Sequence, residues 1–394
     1  MTGIPALETP RPAPPAPPGT GRRVVFIDLA RALAAFFMLY GHVIDALLAP
    51  EYRIGRWHDA WLFQRGLTSC LFLLLSGFAF SIATGRHWAA QRTWSPGVAR
   101  RVRRFATLML LGYALHVPMS PIFGLGRATP EQWRNLLSVD VLQLIGATFL
   151  LIQALVMIVP SQRALTRLAF VLAALVPLVT PLVWAVDWQR YLPIALAAYL
   201  YPDTSSLFPL FPWIAYVLLG IGLGQIYAHW DPGRQGSYAN AVLFLPGAVM
   251  VLTAIGLTNL PFPPFGSGPY AFIPPLVLLR AGACLLAVGV MAQISRTMAH
   301  LPHVFGAFAQ ETLVIYWVHV SLVYGSVWTP GLAWFYGRQL SPLQTLSVVV
   351  VLVAAMAWLA LFWNRLKHAR PAAARRVVMA TFVLMAIRLM LPSW

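Results

Sequence analysis

Ionisable side chains inside a long apolar segment are the first feature of this sequence that could carry chemistry. The apolar run at residues 24–48 contains Asp28, Arg31, His42 and Asp45. Ionisable groups in a membrane-spanning segment are costly, so they usually mark a functional site. A histidine titrates near neutral pH and can accept the proton of an attacking hydroxyl or amine. The pattern therefore predicts a general base at His42.

Helical geometry places the arginine and the histidine of this run on one face. Arg31 and His42 lie about 20° apart around an α-helix and about 16 Å apart along its axis. Asp28 is one turn before Arg31 and is expected to pair with it. Asp45 is one turn beyond His42 and is expected to orient its ring. The alternative is that His42 only forms a hydrogen bond between buried helices.

A second candidate site is the arginine cluster of residues 100–104. The cluster comprises Arg100, Arg101, Arg103 and Arg104, at the start of an apolar segment. Guanidinium groups bind phosphates through paired, charge-assisted hydrogen bonds. Arginines at this position also anchor a helix at the cytoplasmic membrane face. Both interpretations stay open at the level of the sequence.

Two further groups of polar residues are candidates. Glu311, Tyr316 and His319 occur in a late apolar segment, where direct participation and a core polar network are equally compatible with the sequence. His58 and Asp59 are adjacent in a loop between two apolar segments. A histidine beside a carboxylate can act as a general base, or it can be an ordinary residue of the membrane interface.

The composition indicates a membrane protein and excludes several other classes. Hydrophobic residues make up 59% of the 394 residues and charged residues 10%, against about 25% charged residues in soluble domains. The formal charge of +17 does not indicate nucleic-acid binding, because the arginines form short clusters between apolar segments. Cys70 and Cys284 lie far apart in apolar runs, so neither a disulfide framework nor a metal site is predicted.

The apolar runs predict an all-α, polytopic integral membrane protein, since about 20 apolar residues form a helix that crosses a bilayer. About eleven spans are predicted, at residues 24–48, 62–84, 104–118, 140–159, 168–186, 208–228, 240–260, 272–294, 307–327, 342–364 and 375–391. The distribution of basic residues places the N-terminus in the cytoplasm. Residues 1–21 are predicted to be a disordered, Pro-rich cytoplasmic tail, and residues 22–394 a single multi-helix transmembrane domain.

A glycine-rich motif, Gly220-Ile-Gly-Leu-Gly224, lies inside one predicted span. Glycines in a loop that precedes a helix can hold phosphates, but this run is surrounded by apolar residues. Small residues at this spacing let two membrane helices approach closely. The motif therefore predicts close helix packing.

Several segments together resemble one family of membrane enzymes. The stretch from Phe26 to His42, with ten residues between its arginine and its histidine, resembles the opening of the transmembrane acyltransferase superfamily. The segment 312–319 resembles the late Tyr–His element of that superfamily. Three more segments resemble the branch of heparan-α-glucosaminide N-acetyltransferase, at residues 72–78, 140–146 and 211–220.

The resemblance implies a donor, an acceptor and several residue roles. In this branch acetyl-CoA is the donor, an amino sugar is the acceptor, and a histidine after the first span carries the chemistry. His58 is the residue nearest to that position. The superfamily's Arg-x-x-Arg element, read as Arg100/Arg103 or as Arg101/Arg104, would contact acyl-CoA. The expected supporting polar network comprises Asp28, Ser76, Asp140, Gln143, Glu311, Tyr316 and His319.

These considerations predict an acyl-CoA-dependent acyltransferase of the bacterial inner membrane. It would move an acyl group, acetyl in the first place, from cytoplasmic acyl-CoA to a sugar or glycan acceptor on the periplasmic side. His42 or His58 would be the base, with Asp45 or Asp59 steadying the imidazolium. O- or N-transfer and the oligomeric state stay open. The alternative is a transporter or flippase for a polar or amphipathic solute, because polar residues inside spans also suit a transport path.

Overall fold

The chain folds as a helical bundle, as the sequence predicts. A computed structural model describes residues 24–257, 274–298 and 300–391, so the predicted tail lies outside the described residues. The described helices are α1 Val25–Leu47, α2 Gly55–Gly85, α3 Trp88–Gln91, α4 Pro96–Leu115, α5 Pro130–Leu137, α6 Val141–Ile158, α7 Gln162–Trp184, α8 Ile194–Ala197, α9 Leu210–Ala228, α10 Gln235–Tyr238, α11 Leu245–Leu257, α12 Pro274–Thr297, α13 His303–Gln310, α14 Thr312–Tyr324, α15 Leu332–Tyr336, α16 Pro342–Ala369 and α17 Pro371–Met390. A π-helical turn, Ala239–Phe244, joins α10 to α11.

Eight of the predicted spans are long apolar helices in the described part of the chain. They are α1, α2, α6, α7, α9, α12, α16 and the continuous segment Gln235–Leu257. At 1.5 Å per residue, 18 or more residues reach about 27 Å or more, close to the hydrocarbon thickness of about 30 Å. The all-α, multi-pass architecture is therefore confirmed.

The other three predicted spans are helical but differ in length or charge. The span 104–118 belongs to α4, which carries four arginines in its first half. The span 307–327 is divided at Glu311, where the backbone leaves helical geometry between α13 and α14. The span 375–391 belongs to α17, which contains three arginines. These three segments are helical, but two of them contain several arginines and the third is interrupted at Glu311.

Helix α1 lies between two hydrophobic cores and belongs to both. One face contributes Phe26, Ala30 and Ala34 to the core that includes buried residues of α2, α6, α7, α9 and α12. Another face contributes Ala35 and Leu39 to the core that includes α13, α14 and α16. Small residues on α1 let its neighbours approach closely. Helix α1, which carries four of the candidate residues, is thus packed against a hydrophobic core on each of two sides.

Helices α2 and α9 pack backbone to backbone through glycines, as the Gly220–Gly224 motif predicts. A methyl group on Gly220 would overlap the carbonyl oxygen of Leu74, and one on Gly77 would overlap that of Val217. A side chain on Gly224 would collide with the Ser81 hydroxyl. These glycines hold α2 in place beside the cavity described below.

We expect Gly220→Ala to lower the free energy of unfolding by about 1–3 kcal/mol, because its methyl group overpacks a rigid backbone contact. Thermal unfolding in detergent measures the change. The matched control is Gly256→Ala in α11, where an added methyl group meets no atom within 4 Å. Equal melting temperatures for the two variants would contradict this role of Gly220.

Candidate active site

One large cavity lies inside the bundle. Its volume is about 1240 Å³, above the range of about 300–1000 Å³ that is usual for small-molecule pockets. Side chains of α1, α2, α4, α6, α9, α12 and α14 contribute to its wall. The predicted site residues on this wall are Arg31, His42, Asp45, Ser76, Arg101, Arg104, Asp140 and Tyr316. The fold thus brings residues from distant parts of the sequence to one space.

The polar face of α1 runs along the cavity. Arg31, Met38, His42 and Asp45 all line it, at the i, i+7, i+11, i+14 spacing that keeps residues on one helix face. At 1.5 Å per residue this face is about 21 Å long. Arg31 and His42 therefore line the same cavity, about 16 Å apart along the axis of α1.

The His42 ring contacts a second histidine from the other end of the chain. His42 Nδ1 lies 2.9 Å from His319 Nε2, and the rings are nearly parallel, with centroids 5.1 Å apart. The Tyr324 ring packs edge-on against His42 at 5.5 Å. His319 itself is fully buried on α14. These contacts fix the orientation of the His42 ring.

Hydrogen bonding determines which nitrogen of His42 is free. His319 Nδ1 lies 2.6 Å from the carbonyl oxygen of Ile315, and because a carbonyl only accepts, Nδ1 carries the proton. In a neutral ring His319 Nε2 is then an acceptor, so His42 Nδ1 donates to it. The lone pair of a neutral His42 consequently lies on Nε2. This tautomer is the one that a general base on the cavity wall requires.

Asp45 contacts arginines, which corrects the expectation that it orients His42. Its carboxylate forms an ion pair with Arg65 of α2 and lies 3.9 Å from Arg53 Nη1. Arg53 also donates to the carbonyl oxygens of Ile44, Asp45 and Leu48 and so closes the C-terminus of α1. Burial, and then the charge of Arg338, lower the pKa of Arg53. Asp45 thus ties α1 to α2, and His319 takes the place beside His42.

The other end of the cavity is formed by Arg31, Arg101 and Arg104, which we call the arginine end. Arg101 donates to Thr84 Oγ1 at 2.6 Å and to Gln91 Oε1 at 2.8 Å. The charge of Arg104 acts on Arg31 across α1 and α4. This brings cationic groups together at one mouth, an arrangement suited to an anion.

The arginine cluster divides between two faces of α4. Arg101 and Arg104 line the cavity, whereas Arg100 and Arg103 are exposed and, among the described residues, lie outside its wall. Of the two readings of the Arg-x-x-Arg element, the one with Arg101 and Arg104 therefore faces the cavity. The exposed pair suits an anchor at the membrane surface.

A histidine–aspartate pair that sequence reasoning missed also lines the cavity. His116, at the end of α4, lies with its Nε2 3.0 Å from Asp140 Oδ2. Its Nδ1 lies 3.4 Å from the amide nitrogen of the buried Gln143. Both ring nitrogens of His116 thus have partners, whereas His42 Nε2 has none among the described residues. The position of His116 inside the predicted span 104–118 was the signal that could have identified it.

The remaining predicted residues lie away from the cavity wall in the described structure. His58 packs between the rings of Trp57 and Trp61, and Asp59 is exposed. Glu311 is buried and forms an ion pair with Lys367 at 2.7 Å, which ties the α13–α14 junction to α16. Asp28, one turn before Arg31, acts electrostatically on that arginine.

Comparison with known proteins assigns the chain to a family. No curated protein shows a significant match to the chain. The family model described as "Heparan-alpha-glucosaminide N-acetyltransferase, catalytic" matches residues 23–265, a segment that includes α1, α2, α4, α6 and α9 and thus most of the cavity wall. Because the match covers more than half of the chain, this membrane protein belongs to the heparan-alpha-glucosaminide N-acetyltransferase catalytic family.

Proposed function

We propose that this protein transfers an acetyl group from acetyl-CoA to the amino or hydroxyl group of a sugar acceptor. The observation that carries the proposal is a cavity whose wall joins three arginines to a histidine whose Nε2 has no hydrogen-bond partner among the described residues. The arginines suit the phosphates of the donor, and the histidine suits proton transfer at the acceptor. Membership of an N-acetyltransferase family supports the same reaction class.

The arginine end would hold the charged part of acetyl-CoA. Guanidinium groups bind phosphates bidentately, and Arg31, Arg101 and Arg104 lie together on the wall at one end of the cavity. The volume of about 1240 Å³ leaves room for an extended arm and for an acceptor. The thioester would then lie further along α1, toward His42.

His42 would act as the general base. Its Nε2 accepts a proton from the acceptor nitrogen or oxygen as that atom attacks the thioester carbonyl carbon. The carbon–sulfur bond then breaks, and the departing thiolate takes the proton from the imidazolium. The transfer yields the acetylated sugar and CoA and regenerates neutral His42. Holding both substrates in one cavity supplies much of the rate advantage.

The sidedness of the reaction follows from charge. Acetyl-CoA is anionic and cannot cross a bilayer, so it must reach the arginine end from the compartment that contains it. The basic residues of α4 favour a cytoplasmic position for that end. The end of the cavity that contains His42, the histidine end, would then face the periplasm of a bacterial inner membrane. A glycan acceptor could enter there.

Transfer of radiolabel tests the proposal. Purified protein in lipid nanodiscs is incubated with [acetyl-¹⁴C]acetyl-CoA and glucosamine or glucosamine-terminated oligosaccharides. We expect labelled acetyl-sugar and an equal amount of free CoA thiol. Release of CoA thiol without labelled sugar would indicate hydrolysis, and the absence of both products with every acceptor would refute the proposal.

We expect His319→Ala to lower kcat about tenfold or more, because His42 loses the partner that fixes its tautomer and ring orientation. His319→Gln should retain more activity, since its amide oxygen can still accept from His42 Nδ1. Steady-state kinetics, together with acetyl-CoA affinity, separate these effects. Equal kcat for His319→Ala and the wild type would show that His42 does not depend on this contact.

A further inference from the structure

We propose that Asp140 is a second catalytic residue, whose carboxylate binds the attacking nitrogen of the acceptor at the histidine end of the cavity, and that His116 positions this carboxylate. The inference rests on the proposed function and specifies the nucleophile as an amine. Asp140 and His116 both line the cavity, and the mechanism derived above uses neither. Two groups then act on one nucleophile, His42 as the base and Asp140 as a fixed anion.

Asp140 is the aspartate of the described cavity wall that is not paired with an arginine. Asp45, the other aspartate there, forms ion pairs with Arg65 and Arg53. The ion-pair partner found for Asp140 is His116, which is charged only when it is protonated. The charge of Asp140 is therefore available to a ligand that donates hydrogen bonds or carries positive charge.

The hydrogen bonds of His116 define the protonation of this pair. The amide nitrogen of Gln143, a donor, lies 3.4 Å from His116 Nδ1, so Nδ1 accepts and the proton of the neutral ring is on Nε2. Nε2 donates to Asp140 Oδ2 at 3.0 Å. The second carboxylate oxygen, Oδ1, has no hydrogen-bond partner among the described residues. One oxygen is thus held by the protein, and the other can accept from a substrate.

The conformation of Asp140 departs from what its place in the chain favours. Asp140 is the N-cap residue of α6, where an aspartate usually accepts from a backbone N–H of the first turn and stabilises the helix by about 1 kcal/mol. Its side chain forms no such capping bond and contacts His116 instead. Departures from a favourable local preference concentrate at functional sites.

Electrostatic coupling places Asp140 at the histidine end. The charge of Asp140 acts on the hydroxyl groups of Tyr316 and Tyr324. The Tyr324 ring packs edge-on against His42, with ring centroids 5.5 Å apart. Asp140 and His42 therefore share one neighbour and one part of the cavity.

The position of His116 along α4 agrees with this location. His116 follows Arg104 by twelve residues, which corresponds to about 18 Å along a helix axis. On α1, His42 lies about 16 Å beyond Arg31 by the same measure. Because Arg31 and Arg104 meet at the arginine end, both histidines lie a similar distance from it.

An amine suits these two groups because it brings two hydrogens to the reaction. As the nitrogen attacks the thioester carbonyl carbon, His42 Nε2 takes one N–H proton and then gives it to the departing thiolate. The other N–H remains on the nitrogen and donates to Asp140 Oδ1, so the products are the amide and the CoA thiol. The carboxylate stabilises the positive charge that the nitrogen gains during attack. A hydroxyl group has one hydrogen and cannot donate to both residues.

Asp140→Asn tests the catalytic role. We expect kcat/KM of the full-length protein for glucosamine to fall about ten- to hundredfold, as for the loss of a hydrogen bond to a charged group, while the affinity for acetyl-CoA and the melting temperature stay close to those of the wild type. Asp203→Asn, which changes an exposed aspartate outside the described cavity wall, is the matched control and should behave as the wild type. An unchanged kcat/KM in Asp140→Asn would overturn the inference.

Variants of His116 test its role as a positioning residue. His116→Phe retains a ring without a donor and should lower kcat/KM for glucosamine, whereas His116→Gln can still donate to Asp140 and should recover part of the loss. The double variant Asp140→Asn/His116→Phe should be no slower than Asp140→Asn alone, because His116 acts through the carboxylate. Losses that add in the double variant, or equal losses in the two His116 variants, would contradict positioning.

Two ligands that differ in one group test binding without turnover. Glucosamine and glucose carry an amino and a hydroxyl group at the same carbon. We expect glucosamine to raise the melting temperature more than glucose in the wild type and in His42→Ala, and this difference to disappear in Asp140→Asn. If the wild type acetylates no acceptor but shows the difference, the transfer reaction is refuted and the amine site stands. A difference that is absent from the wild type, or that persists in Asp140→Asn, would overturn the inference.

Discussion

His42→Ala is expected to lower kcat for acetyl transfer about 10²- to 10⁴-fold, the range that a positioned general base contributes. Its imidazole lines the cavity, its Nδ1 is engaged by His319, and no described residue forms a hydrogen bond with its Nε2. The affinity for acetyl-CoA should change little, since the arginine end lies about 16 Å away along α1. Single-turnover acetylation and equilibrium binding of acetyl-CoA measure the two quantities separately.

His58→Ala distinguishes the two histidines that the sequence left as alternatives. His58 packs against Trp57 and Trp61 outside the described cavity wall. We expect this variant to remain within a few-fold of the wild type. A large loss of turnover in His58→Ala with normal turnover in His42→Ala would move the base to the loop before α2 and would refute the assignment made here.

The double variant Arg31→Gln/Arg104→Gln is expected to weaken acetyl-CoA binding about hundredfold or more. Each hydrogen bond to a charged group contributes about 1.5–3 kcal/mol, and these two side chains line the arginine end and interact electrostatically there. The KM for acetyl-CoA should rise while the affinity for the acceptor stays close to that of the wild type. Isothermal titration with acetyl-CoA measures the effect.

The double variant Arg100→Gln/Arg103→Gln is the matched control for this experiment. It removes the same charge from the same half of α4, but both side chains are exposed outside the described cavity wall. We expect its affinity for acetyl-CoA to stay within a few-fold of the wild type. An equal loss in both double variants would mean that the cluster acts only through its overall charge.

The face shared by Arg31 and His42 could be predicted from the sequence because both residues belong to one helix. Helical periodicity places residues eleven positions apart on the same side, and the structure puts both on one cavity wall. Glycine spacing likewise predicted that the Gly220–Gly224 segment packs closely against another helix, which the structure identifies as α2. Features that depend only on helical periodicity or on residue spacing can therefore be predicted from the sequence.

Partners distant in the sequence could not be predicted from these patterns. His319 was recognised as a polar residue within a span, but its contact with His42 joins residues 277 positions apart. The preference of Asp45 for Arg65 depends on the relative rotation of α1 and α2, which no single-helix pattern gives. Tertiary packing decides these pairings.

Because α1 is packed between two hydrophobic cores, the distance between Arg31 and His42 along its axis is fixed. Arg31 and His42 lie at the two ends of the candidate site on this one helix. The spacing between the phosphate-binding arginine and the base therefore cannot adjust to the length of the donor. A compact thioester such as S-acetyl-N-acetylcysteamine can occupy either end but cannot span the two. We therefore expect the protein to select donors by the reach of their carrier arm, and to reject short thioesters even though their reactive bond is the same.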